Sequence, residues 1–163
     1  RSEFGQRALG NRSILANPSI VGTADNINKQ IKYRDFWMPF APSILDTHAD
    51  IYLSEYNVTR APYMTIAFPS RPERASEIRE ALHQSDHTAR PQILERSCNS
   101  EYYDLIREFE ISTGIGALLN TSFNLHGEPI VDTPADAMHV FDNSNLDALW
   151  IGDVILTRAA ICS

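Results

Sequence analysis

The most informative part of this sequence is the stretch Gly116-Ala-Leu-Leu-Asn-Thr-Ser-Phe-Asn-Leu-His-Gly-Glu-Pro-Ile-Val131. Its first four residues are apolar and predict a short buried strand. Four hydrogen-bonding side chains then follow, namely Asn120, Thr121, Ser122 and Asn124. Ligands of open α/β sheets bind beyond the carboxyl ends of strands, so we expect these side chains to form a polar loop that carries the chemistry.

Outside this stretch, apolar spacing and capping residues predict alternating strands and helices. We expect strands over 13–16, 63–68, 148–151 and 154–157, the last two forming a hairpin. We expect helices over 23–32, 48–56, 72–82, about 100–114 and 134–143. Pro39 and Pro42 interrupt the apolar run 37–45, which favours an edge strand or an irregular wall. The alternation predicts an α/β or mixed α+β fold, with a sheet flanked by helices and a C-terminal β-hairpin.

Length and composition indicate one domain over residues 1–163. The chain is 43% hydrophobic and has no apolar run of membrane-spanning length, so we expect a soluble cytoplasmic protein with no membrane partner. Its net charge of −7 argues against an extended nucleic-acid surface, because phosphate contacts dominate such binding. Cys98 and Cys162 lack the spacing of a disulfide framework or a zinc site, and we assign them no function.

The basic residues favour arginine and concentrate near the start of the chain. All but two of the 14 basic residues are arginines, which suit bidentate oxyanion binding better than lysine does. Gly5 and Gly10 allow turns that bring Arg7 and Arg12 toward one anion. Codon bias and solvated surface arginines are the alternative explanations, and composition alone leaves them open.

Two further segments carry candidate binding residues. In an extended backbone Lys32 and Arg34 point to the same side, although basic residues also favour helix C-termini because of the helix dipole. Arg90 precedes a proline and is therefore expected in an extended conformation within the polar segment 83–92. A metal site in that segment is a less favoured hypothesis, for which the candidate ligands are His83, Asp86 and His87.

Three runs in chain order resemble a known family. They are Arg1-Ser-Glu-Phe-Gly-Gln-Arg-Ala-Leu-Gly-Asn-Arg-Ser-Ile-Leu15, Thr88-Ala-Arg-Pro-Gln92, and Asn120-Thr-Ser-Phe-Asn124 with Gly127-Glu-Pro-Ile-Val131. Together they look like the C-terminal domain of the O-carbamoyltransferases, a family that includes nodulation proteins and antibiotic-tailoring enzymes. The resemblance implies a YrdC-like fold, related to threonylcarbamoyl-adenylate synthases. Because the chain opens in the middle of a motif, we expect a fragment whose larger N-terminal transfer domain is absent.

The resemblance also implies a reaction. In the family this domain makes a carbamoyl-adenylate from carbamoyl phosphate and ATP, with Mg²⁺ bound to the nucleotide, and the N-terminal domain transfers the carbamoyl group to a hydroxyl. The related fold binds nucleotide and anionic substrate through Lys-x-Arg and Ser-x-Asn elements. Those elements correspond here to Lys32 with Arg34 and to Ser122 with Asn124.

The resemblance and the charge chemistry together give each candidate residue a role. Arg7, Arg12 and Arg90 are expected to hold carbamoyl phosphate, while Lys32 and Arg34 neutralise phosphate charge. We therefore assign catalytic roles to Lys32, Arg34 and Arg7, substrate binding to Arg12, Arg90 and Asn120, and nucleotide binding to Ser122, Asn124 and Thr121. We assign no metal ligand to the protein itself.

The sequence departs from the family pattern at two places. Met38 stands where the family usually has an arginine, in Trp37-Met-Pro-Phe-Ala-Pro42, and we expect that position to face the same anion. His87 stands where the family usually has glycine. The alternative function is therefore a nucleotide-binding or regulatory module that has lost carbamoyl phosphate chemistry. Double-stranded RNA binding is a third hypothesis, and the acidic net charge speaks against it.

Overall fold

The computed structural model describes residue 3 and residues 7–33, 38–57 and 60–158. The strands are β1 (Ser13–Ala16), β2 (Ala41–Leu45), β3 (Phe68–Pro69), β4 (Thr88–Ala89), β5 (Gln92–Leu94), β6 (Ala117–Ser122), β7 (Ala148–Ile151) and β8 (Val154–Thr157). The α-helices are α1 (Thr23–Ile27), α2 (Ala49–Tyr52), α3 (Ser100–Thr113) and α4 (Pro134–Asp142). Shorter helical turns are a π-turn, Asn28–Lys32, and three 3₁₀ turns, Asp46–His48, Ala75–Glu77 and Arg79–Ala81.

A mixed four-stranded sheet forms the centre of the fold. Its strand order is β1-β6-β2-β5, in which β6 runs antiparallel to both neighbours and β2 runs parallel to β5. The chain ends in the predicted hairpin of β7 and β8, where Trp150 pairs with Ile155. The mixed α+β class and the C-terminal hairpin are thus confirmed. The finer likeness to YrdC stays a prediction.

Both faces of the sheet are covered, because successive side chains point to opposite sides of a strand. On one face, Leu45, Leu94 and Leu118 pack against Tyr102 and Ile106 of α3. The residues between them, Ile44, Ile93, Ala117 and Leu119, belong to the clusters on the other face. Helix α3 therefore covers the face of the sheet to which Leu118 of β6 points.

Local signals placed the two longest helices well. Asn99 caps α3 by accepting a hydrogen bond from the Tyr102 N–H, and Gly114 ends it with a φ of 79°. Helix α4 begins with Thr133 as its cap and Pro134 in its first turn, and Thr133 and Asp136 form a reciprocal capping box. These contacts lie within a few residues of one another, so the sequence pattern was sufficient to predict them.

The prediction of an edge strand at 37–45 is wrong. Strand β2 lies between β6 and β5, in the interior of the sheet. Its pairing with β5 begins only at Ser43, whereas Pro42 pairs with Leu119 of β6. Pro42 therefore has one neighbouring strand and occupies a position that resembles an edge, which is where a residue without an N–H is tolerated.

Three other predicted elements are shorter than expected. The strand over 63–68 is absent apart from β3, because Met64 adopts a φ of 55° that interrupts an extended backbone. The helix over 72–82 is reduced to two 3₁₀ turns, although Ile78, Ala81 and Leu82 are buried as predicted. The helix over 48–56 is reduced to the 3₁₀ turn 46–48 and the short α2.

The region around Lys32 also differs from expectation. Helix α1 is preceded by Gly22 rather than capped by Thr23, and it continues into the π-turn instead of remaining α-helical. Tyr33 has a φ of 46°, so the backbone at this residue is not extended as expected. Arg34 lies outside the described residues.

Within the described part of the chain, every helix is too short or too polar to cross a membrane.

Candidate functional site

Two arginines and three polar residues of β6 line one small cleft. Arg7 precedes β1, Arg90 precedes β5, and the second half of β6 supplies Asn120, Thr121 and Ser122. The remaining lining consists of Ala8, Pro39, Phe40, Ala41 and Met64. The cleft has a volume of about 50 Å³. It lies at the carboxyl end of β6, where the sequence predicted a site, although the predicted polar loop is in fact largely the end of the strand.

The charge in this cleft is positive. Arg7 and Arg90 are both exposed, and no Asp or Glu occurs among its described lining residues. Neither guanidinium forms an ion pair with a carboxylate in the described part of the chain. Two guanidinium groups next to the hydroxyl groups of Thr121 and Ser122 suit a phosphate or a carboxylate ligand.

The floor of the cleft contains a buried asparagine whose amide nitrogen is bonded to other protein atoms. Asn120 is 2% exposed, and its Nδ2 donates toward Ala8 O at 3.1 Å, Ser43 Oγ at 2.9 Å and Gln92 Oε1 at 3.3 Å. Its Oδ1 is buried and has no hydrogen-bond partner among the described residues. Asn120 thus faces protein atoms at least as much as it faces the cleft.

The amide of Asn120 belongs to a polar row that crosses three strands. Ser43 Oγ donates to Gln92 Oε1 at 2.7 Å, and Gln92 Nε2 donates to Leu9 O at 3.0 Å. Tyr102 packs beside this row, and burial is the main reason that the pKa of its phenol is raised. Ser43 and Asn120 lie close enough to oppose that rise in pKa, but neither forms a hydrogen bond of normal geometry with the phenol.

The backbone that carries Arg7 is fixed from several sides. Glu3 Oε1 accepts the N–H groups of Leu9, Asn11 and Arg12 at 2.9, 2.8 and 2.9 Å. Gly10 has a φ of 104°, and a Cβ at this position would lie 2.1 Å from Tyr102 Cδ1. Glycine is therefore required both by the conformation and by the close approach to the ring.

Beside this cleft, Lys32 joins the π-turn to the end of β6. It is 2% exposed, and its Nζ lies 2.5 Å from Ser122 O, 3.1 Å from Ser122 Oγ, 3.1 Å from Asn124 O and 2.6 Å from Asn124 Oδ1. Ser122 Oγ also donates to Asn124 Oδ1 at 2.7 Å. An ammonium group has three hydrogens, so these four oxygens exceed its donor capacity. Residues of the predicted Lys-x-Arg and Ser-x-Asn elements are therefore in direct contact.

The segment after β6 is held by the same residues. Asn124 Nδ2 donates to Leu125 O at 3.0 Å and to Glu128 O at 2.8 Å, which closes the turn that contains Gly127. His126 Nδ1 lies 2.6 Å from Lys32 O. Asn124 therefore shapes this turn and contacts Lys32, but it is not among the residues that line the cleft.

Two more predicted residues lie away from the cleft. Arg12 Nη2 donates to Asp132 O at 3.3 Å, so its side chain contacts the segment that precedes α4. Met38 lines a neighbouring cleft of about 210 Å³ that shares Pro39 and Phe40 with the first. The expectation that position 38 faces the same anion as Arg7 and Arg90 does not match this placement.

The metal hypothesis receives no support from the described residues. His83 Nδ1 lies 3.1 Å from Asp86 Oδ1 and 3.0 Å from Ser85 Oγ. Nowhere in the described ranges do three or more His, Cys, Asp or Glu side chains form a group that could hold a metal ion. The Asp86 carboxylate instead accepts from the N–H and hydroxyl of Thr88, and these bonds lower its pKa.

Sequence reasoning did not identify four residues that lie next to the cleft without lining it. Glu3, Ser43, Gln92 and Tyr102 lie under or beside it, and none was a candidate. Gln92 belongs to a run that matched the family, and this was a usable signal. Ser43 lies in an apolar run next to Pro42 and carried no signal of its own.

Comparison with known proteins identifies the family. Residues 1–158 match the family described as Carbamoyltransferase C-terminus. The chain belongs to this family. It is 41% identical to nodulation protein NolNO of Sinorhizobium fredii over 97% of its own length and 23% of that protein. It is 31% identical to 3'-hydroxymethylcephem-O-carbamoyltransferase of Amycolatopsis lactamdurans, over 98% of this chain and 29% of that protein.

The family relationship extends along nearly the whole chain, but covers only a minor part of the relatives. Nodulation protein NolO of Bradyrhizobium diazoefficiens is 41% identical over 97% of this chain and 29% of its own length. The chain thus spans less than a third of each of these proteins. The sequence resemblance to the carboxyl-terminal domain of carbamoyltransferases is confirmed.

Proposed function

We propose that this domain activates a carbamoyl group for transfer to a hydroxyl, using carbamoyl phosphate and ATP to form a carbamoyl-adenylate. The observation that carries the proposal is the convergence of Arg7 and Arg90 with Asn120, Thr121 and Ser122 around one cleft. We further propose that the chain is one domain of a longer cytoplasmic enzyme, whose N-terminal domain performs the transfer.

The chemistry of the cleft supports an anionic substrate. Arg7 and Arg90 both line the cleft and are exposed, so two cations are available to a bound phosphate. Carbamoyl phosphate and ATP are both polyanions, and their reaction depends on charge neutralisation and alignment. The described residues provide no cluster of metal ligands, and Mg²⁺ commonly binds through substrate phosphates. Mg²⁺ would accordingly be carried by the nucleotide and would neutralise phosphate charge there.

Atom balance defines what the site must accommodate. A carbamoyl-adenylate retains the carbamoyl group and the AMP, so inorganic phosphate and pyrophosphate both leave and one water is consumed. The residues present can bind and orient these anions. Lys32 contributes by holding Ser122, which lines the cleft together with Arg7 and Arg90, and Asn124, which shapes the turn after β6.

The alternative is a nucleotide-binding module without carbamoyl phosphate chemistry. That hypothesis rested on Met38, which would replace a cation of the substrate site. Met38 lines the neighbouring cleft instead, so its identity leaves the pair formed by Arg7 and Arg90 unchanged. The activating enzyme is therefore the better-supported function.

The test is carbamoyl phosphate-dependent exchange of labelled pyrophosphate into ATP by the full-length protein. Arg7→Ala and Arg90→Ala should each lower the exchange rate about 100-fold or more, because each removes a charge-stabilising donor. Arg107→Ala on the exposed side of α3 is the matched control and should leave the rate unchanged. Nucleotide binding without any exchange would favour the alternative module. Full exchange in both cleft variants would contradict the site.

A further inference from the structure

The arginines of the cleft lie on segments that are joined by two buried amides. Gln92 lies two residues after Arg90 and donates to the carbonyl of Leu9, which lies two residues after Arg7. Asn120 donates to the carbonyl of Ala8, directly after Arg7. Gln92 and Asn120 are 3% and 2% exposed, so both donor groups are shielded from bulk water.

Strand register explains why both amides point to the same place. Ser43 pairs with Gln92, and Ala41 pairs with Asn120. Because side chains two residues apart share a face, Ser43, Gln92 and Asn120 lie on the face of the sheet that α3 covers. They form one row across β2, β5 and β6 at the end nearest the cleft.

The donors of this row have few alternative partners. Asn120 Nδ2 has three oxygens within 3.3 Å, and all three belong to the protein. Its Oδ1 is inaccessible to solvent. A side chain placed in this way acts on a ligand through the backbone that it holds, rather than by direct contact.

We propose that Gln92 and Asn120 are positioning residues, whose amide groups hold the Ala8 and Leu9 carbonyls and thereby set the separation of Arg7 and Arg90 across the cleft. This inference rests on the proposed function for its effect on substrate, and it replaces the assignment of Asn120 as a direct ligand. Ser43 is bonded to both amides but has no bond to the carbonyl of Ala8 or Leu9. It therefore belongs to the row without a hydrogen bond to the segment 7–12.

Ser43 therefore offers a matched control. Gln92→Met keeps the size of the side chain and removes the donor to Leu9. Ser43→Ala removes a buried hydroxyl and keeps the bonds from Gln92 to Leu9 and from Asn120 to Ala8. In the full-length protein, Gln92→Met should raise the KM for carbamoyl phosphate about 10- to 100-fold, the size expected for a misplaced binding group. The KM for ATP should change less than about threefold, and Ser43→Ala should change both KM values less than about threefold.

A second measurement is independent of activity. Hydrogen exchange of the amides in 7–12 should become about 10-fold faster or more in Gln92→Met and should stay near wild type in Ser43→Ala. If Gln92→Met does not fold, Gln92→Asn serves the same comparison, because its amide is one methylene too short to reach Leu9. Equal effects of the Gln92 and Ser43 variants on exchange would overturn the positioning role. Faster exchange of 7–12 without any carbamoyl phosphate-dependent activity in wild type would uphold positioning and refute the proposed function.

Discussion

Lys32 is the residue at which a buried cation holds two chain segments together. Four oxygens of Ser122 and Asn124 lie within hydrogen-bond distance of its Nζ, and the residue is 2% exposed. Lys32→Met should lower the free energy of unfolding by about 3 kcal/mol, because it removes the buried charged donor of several half-buried oxygen acceptors. Urea denaturation of the protein measures this difference.

Lys29→Met provides the comparison for that experiment. Lys29 is exposed in the same π-turn, and its loss should change the free energy of unfolding by less than about 0.5 kcal/mol. Equal effects of the two substitutions would show that the oxygen contacts of Lys32 contribute nothing to stability.

Substitutions of Gly10 and Gly127 separate the free-energy cost of a positive φ from the cost of steric overlap. Gly10→Ala combines a φ of 104° with a Cβ placed 2.1 Å from Tyr102 Cδ1, so we expect a destabilisation of about 3 kcal/mol or more. Gly127→Ala has a comparable φ of 80° with no atom within 4 Å, so it should cost only about 1 kcal/mol. Thermal unfolding of the two variants side by side gives the difference, and similar melting temperatures would refute the overlap at Gly10.

Individual residues of the site were predictable only where a motif contained them. Arg7 and Arg90 belong to runs that resemble the family, and the structure brings them to one cleft. Arg12 belongs to the same run as Arg7 but contacts Asp132. Sequence spacing does not show to which side of a turn an arginine side chain points. Arg7 and Arg12 could therefore not be distinguished from the sequence.

At the level of elements, the start of α4 supplies a pH-dependent contribution. The N–H and hydroxyl of Thr133 and the N–H of Asp132 lower the pKa of Asp136 below its ordinary value of 3.8. A group whose pKa is lower in the folded state stabilises the fold fully above its unfolded pKa. That stabilisation is lost as the pH falls below about 4 toward the folded pKa.

Asp136→Asn removes this titration while keeping an oxygen acceptor for the cap. The free energy of unfolding should therefore fall less steeply below about pH 4 in the variant than in wild type. Asp142→Asn, at the other end of α4, is the control and should preserve the wild-type slope. Acid titration followed by circular dichroism measures both slopes, and an unchanged slope in Asp136→Asn would be the contrary result.

Elements were predictable when their signals were local. Asn99 and Gly114 bound α3, Thr133 starts α4, and Gly152 lies in the turn of the hairpin, all within a few residues of the elements that they define. The interior position of β2 depends instead on pairing with β5 and β6, which follow much later in the chain. Proline in its sequence indicated an edge because no local pattern shows where a neighbouring strand stops.

At the level of the whole molecule, Tyr52 connects three separate parts of the fold. Its hydroxyl donates to Glu77 Oε2 at 2.9 Å and accepts the Gly116 N–H at 3.0 Å, and burial raises the pKa of this phenol. Tyr52→Phe should lower the free energy of unfolding by about 1–3 kcal/mol, since it leaves a buried N–H without a partner. Tyr63→Phe at a residue that is 61% exposed should have almost no effect, and guanidinium denaturation compares them. A matching loss in both variants would argue against the bridging role.

The cleft was less predictable than the fold class because its geometry arises from contacts between distant residues. Asn120 and Ala8 are 112 residues apart, and Gln92 and Leu9 are 83 apart. The family resemblance correctly marked the runs that contain these residues. The resemblance gave no indication that Ser43 of β2 would form hydrogen bonds with both Gln92 and Asn120.

The same anchoring has a consequence for the order in which the protein folds. The backbone around Ala8 has its acceptors held by β5 and β6, which lie far along the chain, so it gains these bonds only after the sheet has closed. Long-range loop closure is slow, and we expect the cleft lined by Arg7 and Arg90 to form in the last folding step. Pulse-labelling during refolding should protect the Leu9 amide after the amides of β6, whereas earlier protection of Leu9 would show that this segment folds independently. A newly made chain would then form its sheet before the cleft reached its final shape.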